Sequence, residues 1–140
     1  MGGPARQVTH QGGFAAFESP DGYIYYAKGR SVSGLWRMPV EGGIEEPVFT
    51  QLKAGYWGYW GICNAGIVFA DRELGQPLPT LSLLQLPSRT ILPLRSVAKH
   101  IIPGDSGLAV TGDCKQILIA QTDQSGSDIM MVENTPKTPR

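Results

Sequence analysis

The chain has 140 residues, enough for one ordinary domain, with 12 basic and 12 acidic side chains and no net charge. That balance leaves no basic excess for nucleic acid and no acidic tail, and no apolar stretch approaches the roughly 18 residues that span a membrane. Charged residues make up only 17%, which gives a small monomer little protection against association.

Glycine (18) and proline (11) are frequent and spread along the chain, as many turns between short strands require. Met1 is followed by Gly-Gly-Pro-Ala-Arg with no apolar signal core. The expectation is therefore a cytoplasmic protein, or a periplasmic one if the chain is part of a longer precursor. Cys63 and Cys114 lie 51 residues apart. Two free thiols are expected, with a disulfide left open because spacing alone does not show one.

The first predicted strand is Phe14–Glu18. Ser19-Pro20-Asp21-Gly22 follows as a tight turn. Pro20 fixes φ and cannot donate, Asp21 can bond its own backbone, and Gly22 accepts positive φ. Tyr23–Lys28 is a second strand whose two faces are both apolar or aromatic, as a strand covered on both sides would be. Leu35–Val40 and Glu46–Thr50 complete a four-stranded meander. The pattern recurs with strands at Tyr56–Cys63, Ile67–Arg72, Leu81–Leu86 and Thr90–Val97. It recurs again at Ser106–Thr111, Ile117–Thr122 and Asp128–Glu133. The second strands align as Ile24-Tyr25-Tyr26-Ala27, Ile67-Val68-Phe69-Ala70 and Ile117-Leu118-Ile119-Ala120, starting 43 and 50 residues apart. A period of about 40–50 residues with four strands per unit is the signature of a β-propeller blade.

Ser19-Pro20-Asp21-Gly22, with its worn counterparts Asn64-Ala65-Gly66 and Gly112-Asp113-Cys114-Lys115, resembles the turn signature of TolB-like, WD-repeat type propellers. The segments "GLWRMPVEGG" and "DQSGSDIMMVEN" also resemble propeller blades of large bacterial sensor or protease-associated proteins. The resemblance implies an all-β half-propeller over residues 1–134: an N-terminal strand plus first blade at 6–50, a second blade at 56–97, a third at 106–133, and a tail at 135–140. It says little of activity, because fold does not fix function.

Three blades do not close a ring of roughly 4–8. If each end face buries on the order of 500 Å², the pair represents ~25 kcal/mol of gross hydrophobic free energy at ~25 cal/mol/Å². The preferred solution is a homodimer forming one six-bladed ring. In it Arg6, Gln7, Val8 and Thr9 of one copy supply the missing outer strand of the other's third blade, beside the strand that carries Ile129 and Met131. The alternatives are the C-terminal half of a longer propeller, a lone three-bladed monomer, or a rearranged barrel or sandwich.

Gly104-Asp105-Ser106-Gly107 resembles the nucleophile segment of chymotrypsin-like proteases, with His10 and His100 as possible bases. Leu108 stands where that motif has glycine, the chain is too short for two barrels, and neither histidine has the family's context. A turn into the next strand is the better reading. Asp123–Asp128 loosely resembles a calcium loop but lacks the spaced acids and the closing glutamate. No Gly-x-Ser-x-Gly elbow or phosphate loop occurs.

The most unusual stretch is Tyr56-Trp57-Gly58-Tyr59-Trp60. Read as a strand, it would place Tyr56, Gly58 and Trp60 on one face and Trp57 and Tyr59 on the other, with Gly58 admitting a close neighbour. Packing between blades is the plainer account. The sharper one makes Trp57 and Tyr59, with Trp36 and Arg72, the lining of an axial mouth for a peptide or sugar. The sequence thus favours a non-catalytic interaction or ligand-binding module, with no cofactor, metal, nucleic acid or membrane. A metal-dependent lyase or lactonase at the channel mouth is disfavoured, since Phe14, Trp57, Tyr59, Leu108 and Val110 are poor ligands. A fragment of a larger sensor is the third possibility.

Overall fold

A computed structural model of the chain describes residues 2–123. Among these residues there is no helix, and ten strands form three antiparallel sheets. β1 (Phe14–Glu18), β2 (Tyr23–Ala27), β3 (Leu35–Pro39) and β4 (Glu46–Phe49) make one four-stranded sheet in chain order. β5 (Trp60–Cys63), β6 (Gly66–Asp71), β7 (Thr80–Gln85) and β8 (Thr90–Ser96) make a second with the same order. β9 (Leu108–Val110) and β10 (Ile117–Ile119) form a two-stranded third. The expected strand at Asp128–Glu133, with Ile129 and Met131, lies outside the described residues.

The turn between β1 and β2 forms as its residues dictate. The Gly22 amide donates to the Ser19 carbonyl (3.0 Å), and the Asp21 carboxylate accepts from the Tyr23 amide (3.1 Å). Gly22 takes φ 83°, where a Cβ would be strained. The β5–β6 turn makes a harsher demand. Gly66 has φ 144°, and a Cβ built there would stand 2.0 Å from the Leu84 carbonyl oxygen. Worn as its sequence is, this turn depends more heavily on its glycine than Ser19–Gly22 does.

The core is one continuous cluster running between the sheets. Tyr25, Leu35 and Phe49 of the first sheet meet Trp60, Ile67 and Phe69 of the second, with Phe49 and Phe69 ring centroids 4.6 Å apart. Leu108 joins from β9. β6 is buried at five of its six positions, which explains its unbroken apolar run. β8, the outer strand of its sheet, is exposed throughout.

Two expectations are corrected. Tyr56–Tyr59 is not strand: the Tyr59 amide bonds the Tyr56 carbonyl (2.9 Å) in a turn, and β5 starts only at Trp60. Alternating faces therefore do not apply, and Tyr56, Tyr59 and Trp60 are all buried. Gly58 does admit a close neighbour. It bridges Ser106 in parallel, and a Cβ on it would lie 2.3 Å from the Asp105 carbonyl oxygen.

Second, Cys63 and Cys114 are not free thiols. They form a disulfide, with Cα atoms 5.2 Å apart. β5 packs beside β9, and the turn after β9 brings Cys114 to the end of β5, where the Asn64 amide bonds the Gly112 carbonyl (2.8 Å). Sequence distance conceals that adjacency.

Within a single chain Arg6, Gln7, Val8 and Thr9 form no strand, whereas the expected strand exchange concerns a second copy. Arg6 donates to the Val40 (2.8 Å) and Glu41 (3.0 Å) carbonyls beyond β3. Gly12 sits at the other end of the same sheet, where a Cβ would be 2.9 Å from the Lys28 oxygen. Residues 6–12 therefore run the length of the first sheet.

Candidate functional site

The four residues expected at an axial mouth have separate surroundings. Trp57 is half-buried, its ring 4.5 Å from Phe14, edge to face. Its indole Nε1–H is buried and has no hydrogen-bond partner among the described residues. Tyr59 is 2% exposed and packs on Gly107, where a Cβ would approach its ring to 2.7 Å. Trp36 lies on β3 beneath the Lys28 ammonium, 4.7 Å from the ring centroid. Arg72 is exposed just past β6, and its carbonyl accepts from Lys53.

Trp57 instead keeps company with a residue that the sequence did not single out. The Arg30 guanidinium lies 5.3 Å from the Phe14 ring centroid and 5.6 Å from that of Trp57. The Arg30 carbonyl accepts from the Gly55 amide (3.1 Å), which ties loop 28–34 to the aromatic stretch. Among the described residues no carboxylate pairs with Arg30. A guanidinium over two aromatic faces holds its position while keeping donors available. No spacing rule links Arg30 to Phe14 and Trp57, because three different segments supply them.

A second constellation lies where the β1–β2 turn meets the β5–β6 turn. It is a cleft of about 410 Å³ walled by Pro20, Tyr25, Arg37, Ile62 and Leu86. Its floor is a relay of polar groups. The Tyr25 hydroxyl donates to Asp21 (2.7 Å) and accepts from Arg37 Nη1 (3.3 Å), and Arg37 Nε donates to Glu46 (2.7 Å). The Arg37 guanidinium also lies 4.4 Å from the Tyr23 ring centroid. Burial raises the Tyr25 pKa, the bond to Asp21 raises it further, and Arg37 opposes both. The phenol therefore stays neutral, clamped between an acceptor and a donor, and serves to fix the turn.

On the opposite face of the first sheet, Lys28 and the Tyr26 hydroxyl both bond Glu45. Burial pushes the Glu45 carboxyl up, but these two bonds outweigh it and hold it below its ordinary value. Burial and the same carboxylate raise the Tyr26 phenol.

The Gly104–Gly107 loop carries no nucleophile–base pair. The Ser106 backbone bridges Gly58, while His100 bridges Thr122. Among the described residues no group of three His, Cys, Asp or Glu side chains could hold a metal ion, and no helix is long and apolar enough to cross a membrane. No protein-family model, curated protein or solved structure matches the chain.

Proposed function

We propose that this chain is a non-catalytic protein-interaction or ligand-binding module, built as three propeller blades over 6–50, 56–97 and 106–133 and completed to a six-bladed ring by a second copy. The observation that carries it is the repetition of one plan. Two successive meanders share a strand order, and the first strands of the second and third units are neighbours, with Gly58 bridging Ser106 in parallel. Propellers are built this way, with first strands gathered around an axis.

An axial mouth would then be furnished by Phe14, Arg30 and Trp57, a surface suited to a peptide or a sugar with an anionic group. The Arg6–Thr9 exchange would first require Arg6 to leave Val40 and Glu41. The Cys63–Cys114 disulfide supports an oxidising compartment, the periplasm or outside the cell, over the cytoplasm.

Light scattering on the purified chain at micromolar concentration tests the ring. The expected species has twice the 15.1 kDa chain mass. A strictly monomeric species across that range rules the ring out.

A further inference from the structure

β1 carries a fault in its ladder that a plain meander does not need. Phe17 pairs with Tyr25 and Ala16 with Tyr26, but Ala27 pairs with Phe14, because Ala15 is bulged out at φ 47°. Strand faces alternate, so an unbulged β1 would put Ala15 on the core side with Phe17 and turn Phe14 outward with Ala16. The extra residue instead brings the Phe14 ring to 4.5 Å from that of Trp57. Alanine avoids this left-handed backbone angle. Bulges and strain of this kind gather where a side chain is re-aimed for function.

The loop that carries Arg30 is fixed just as firmly. The Gly34 amide donates to the Leu52 carbonyl (2.7 Å), the Ala54 amide to Ser33 Oγ (3.1 Å) and the Gly55 amide to the Arg30 carbonyl (3.1 Å). Trp57 is held from behind by Trp60, whose indole N–H donates to the Trp57 carbonyl (2.7 Å). Arg30 is exposed, and its guanidinium stands over both the Phe14 and Trp57 rings. The buried Trp57 Nε1–H belongs to the same cluster and has no acceptor among the described residues. Arg30 supplies a single charge, since the neighbouring cations Lys28 and Lys53 are committed to Glu45 and Asp71.

We propose that Arg30 and Trp57 form a carboxylate-binding subsite. Arg30 presents the edge of its guanidinium to both ligand oxygens, and the Trp57 indole is the second donor, reached as the exposed Arg30 side chain shifts. A planar fork matches a carboxylate with two N–H groups to two oxygens, and stacking on the rings sets the plane of the fork in advance. One cation suits a monoanion, whereas a phosphate dianion asks for more positive charge. The inference rests on the reading of the chain as a ligand-binding module and narrows it: the ligand carries a carboxylate, from a peptide C-terminus or from a uronic acid. It does not depend on the ring.

Titration calorimetry on the full, oxidised chain tests it with two pairs of compounds. One is a Gly-Gly-Phe peptide against its C-terminal amide; the other is the methyl glycoside of galacturonic acid against that of galactose. At least one acid is expected to bind about tenfold or more tightly than its neutral partner, and the pair with the larger preference names the source of the ligand. Arg30→Gln is expected to erase that preference, and Arg30→Lys to restore only part of it, because lysine keeps the charge without the fork. Trp57→Phe keeps a ring beside Phe14 but removes the N–H, and is expected to diminish the preference. Equal binding of acid and neutral compounds overturns the subsite and leaves a ligand-binding module standing. So does a preference undiminished by Arg30→Gln or Trp57→Phe, and so does inorganic phosphate that competes as well as the acid. No binding by any of the compounds up to about 10 mM overturns the subsite and the axial mouth together.

Discussion

Tyr25 concentrates several of the forces that hold the first sheet. It is 1% exposed, yet its hydroxyl has both a donor and an acceptor. Tyr25→Phe keeps the ring and strips Asp21 and Arg37 of a shared partner. The expected loss is about 1 kcal/mol, since Asp21 can turn to water, read as a lower urea midpoint with unchanged slope. Gly66 is less forgiving. Gly66→Ala drives a Cβ into the Leu84 carbonyl at a backbone angle that L-residues avoid. A cost of about 2–4 kcal/mol is expected, read as a fall in thermal midpoint, whereas Gly22→Ala, with open space around it, costs only about 1 kcal/mol. Glu45 adds a pH dependence. Its folded pKa lies below 4.5, so the stability that Lys28 and Tyr26 confer is complete above that pH and drains away as pH falls through the folded value. Denaturant midpoints measured between pH 6 and pH 3 should show this fall, and Glu45→Gln should flatten it.

At the scale of elements, the disulfide matters most for the third sheet, which has two strands among the described residues. By loop-closure entropy a 51-residue loop is worth about 4 kcal/mol. Cys63→Ser with Cys114→Ser is therefore expected to destabilise the chain by up to that amount, with amides of β9 and β10 losing protection before those of β6. Uniform loss across all sheets would show instead that the crosslink serves the whole fold. The strands themselves were legible, because aromatic and β-branched runs alternate with turn residues whose geometry is local. β1 is predicted to the residue, and β2, β3, β4, β6, β7 and β8 to within one residue at either end. The misses share a cause. Tyr56–Tyr59 has strand composition but a turn's hydrogen bond, since burying three aromatics outweighs extending the chain. The disulfide and the meeting of Arg30, Phe14 and Trp57 depend on which units lie side by side. A one-dimensional pattern carries the period of a repeat, but it does not carry the contacts between successive repeats.

For the molecule as a whole, the deciding quantity is what covers its ends. Phe17, Ile44, Leu74, Ile91, Leu92, Leu94, Ile102 and Leu118 are all at least 40% exposed. They lie on several surfaces, so no single patch forces association. The two termini differ in kind. Residues 6–12 lie along the first sheet, on which Tyr26 and Met38 are buried outside the main core cluster, so this end carries chain already. At the other end, Ala109 and Leu118 are cross-strand partners on the outward face of the third sheet, and both are exposed. Ring closure would place that small apolar pair against the partner's first sheet, where the Arg6–Thr9 segment either moves aside or becomes part of the contact. Leu118→Lys separates stability from assembly. Leu118 is largely exposed in one chain, so the substitution should shift the thermal midpoint little, yet it should weaken the dimer at least about tenfold by desolvating a charge at the interface. Sedimentation equilibrium reads the second effect and calorimetry at high dilution the first. A dimer of unchanged affinity in Leu118→Lys would show that the third sheet's outward face takes no part in association, and the closed ring would have to be abandoned even though the protein dimerises.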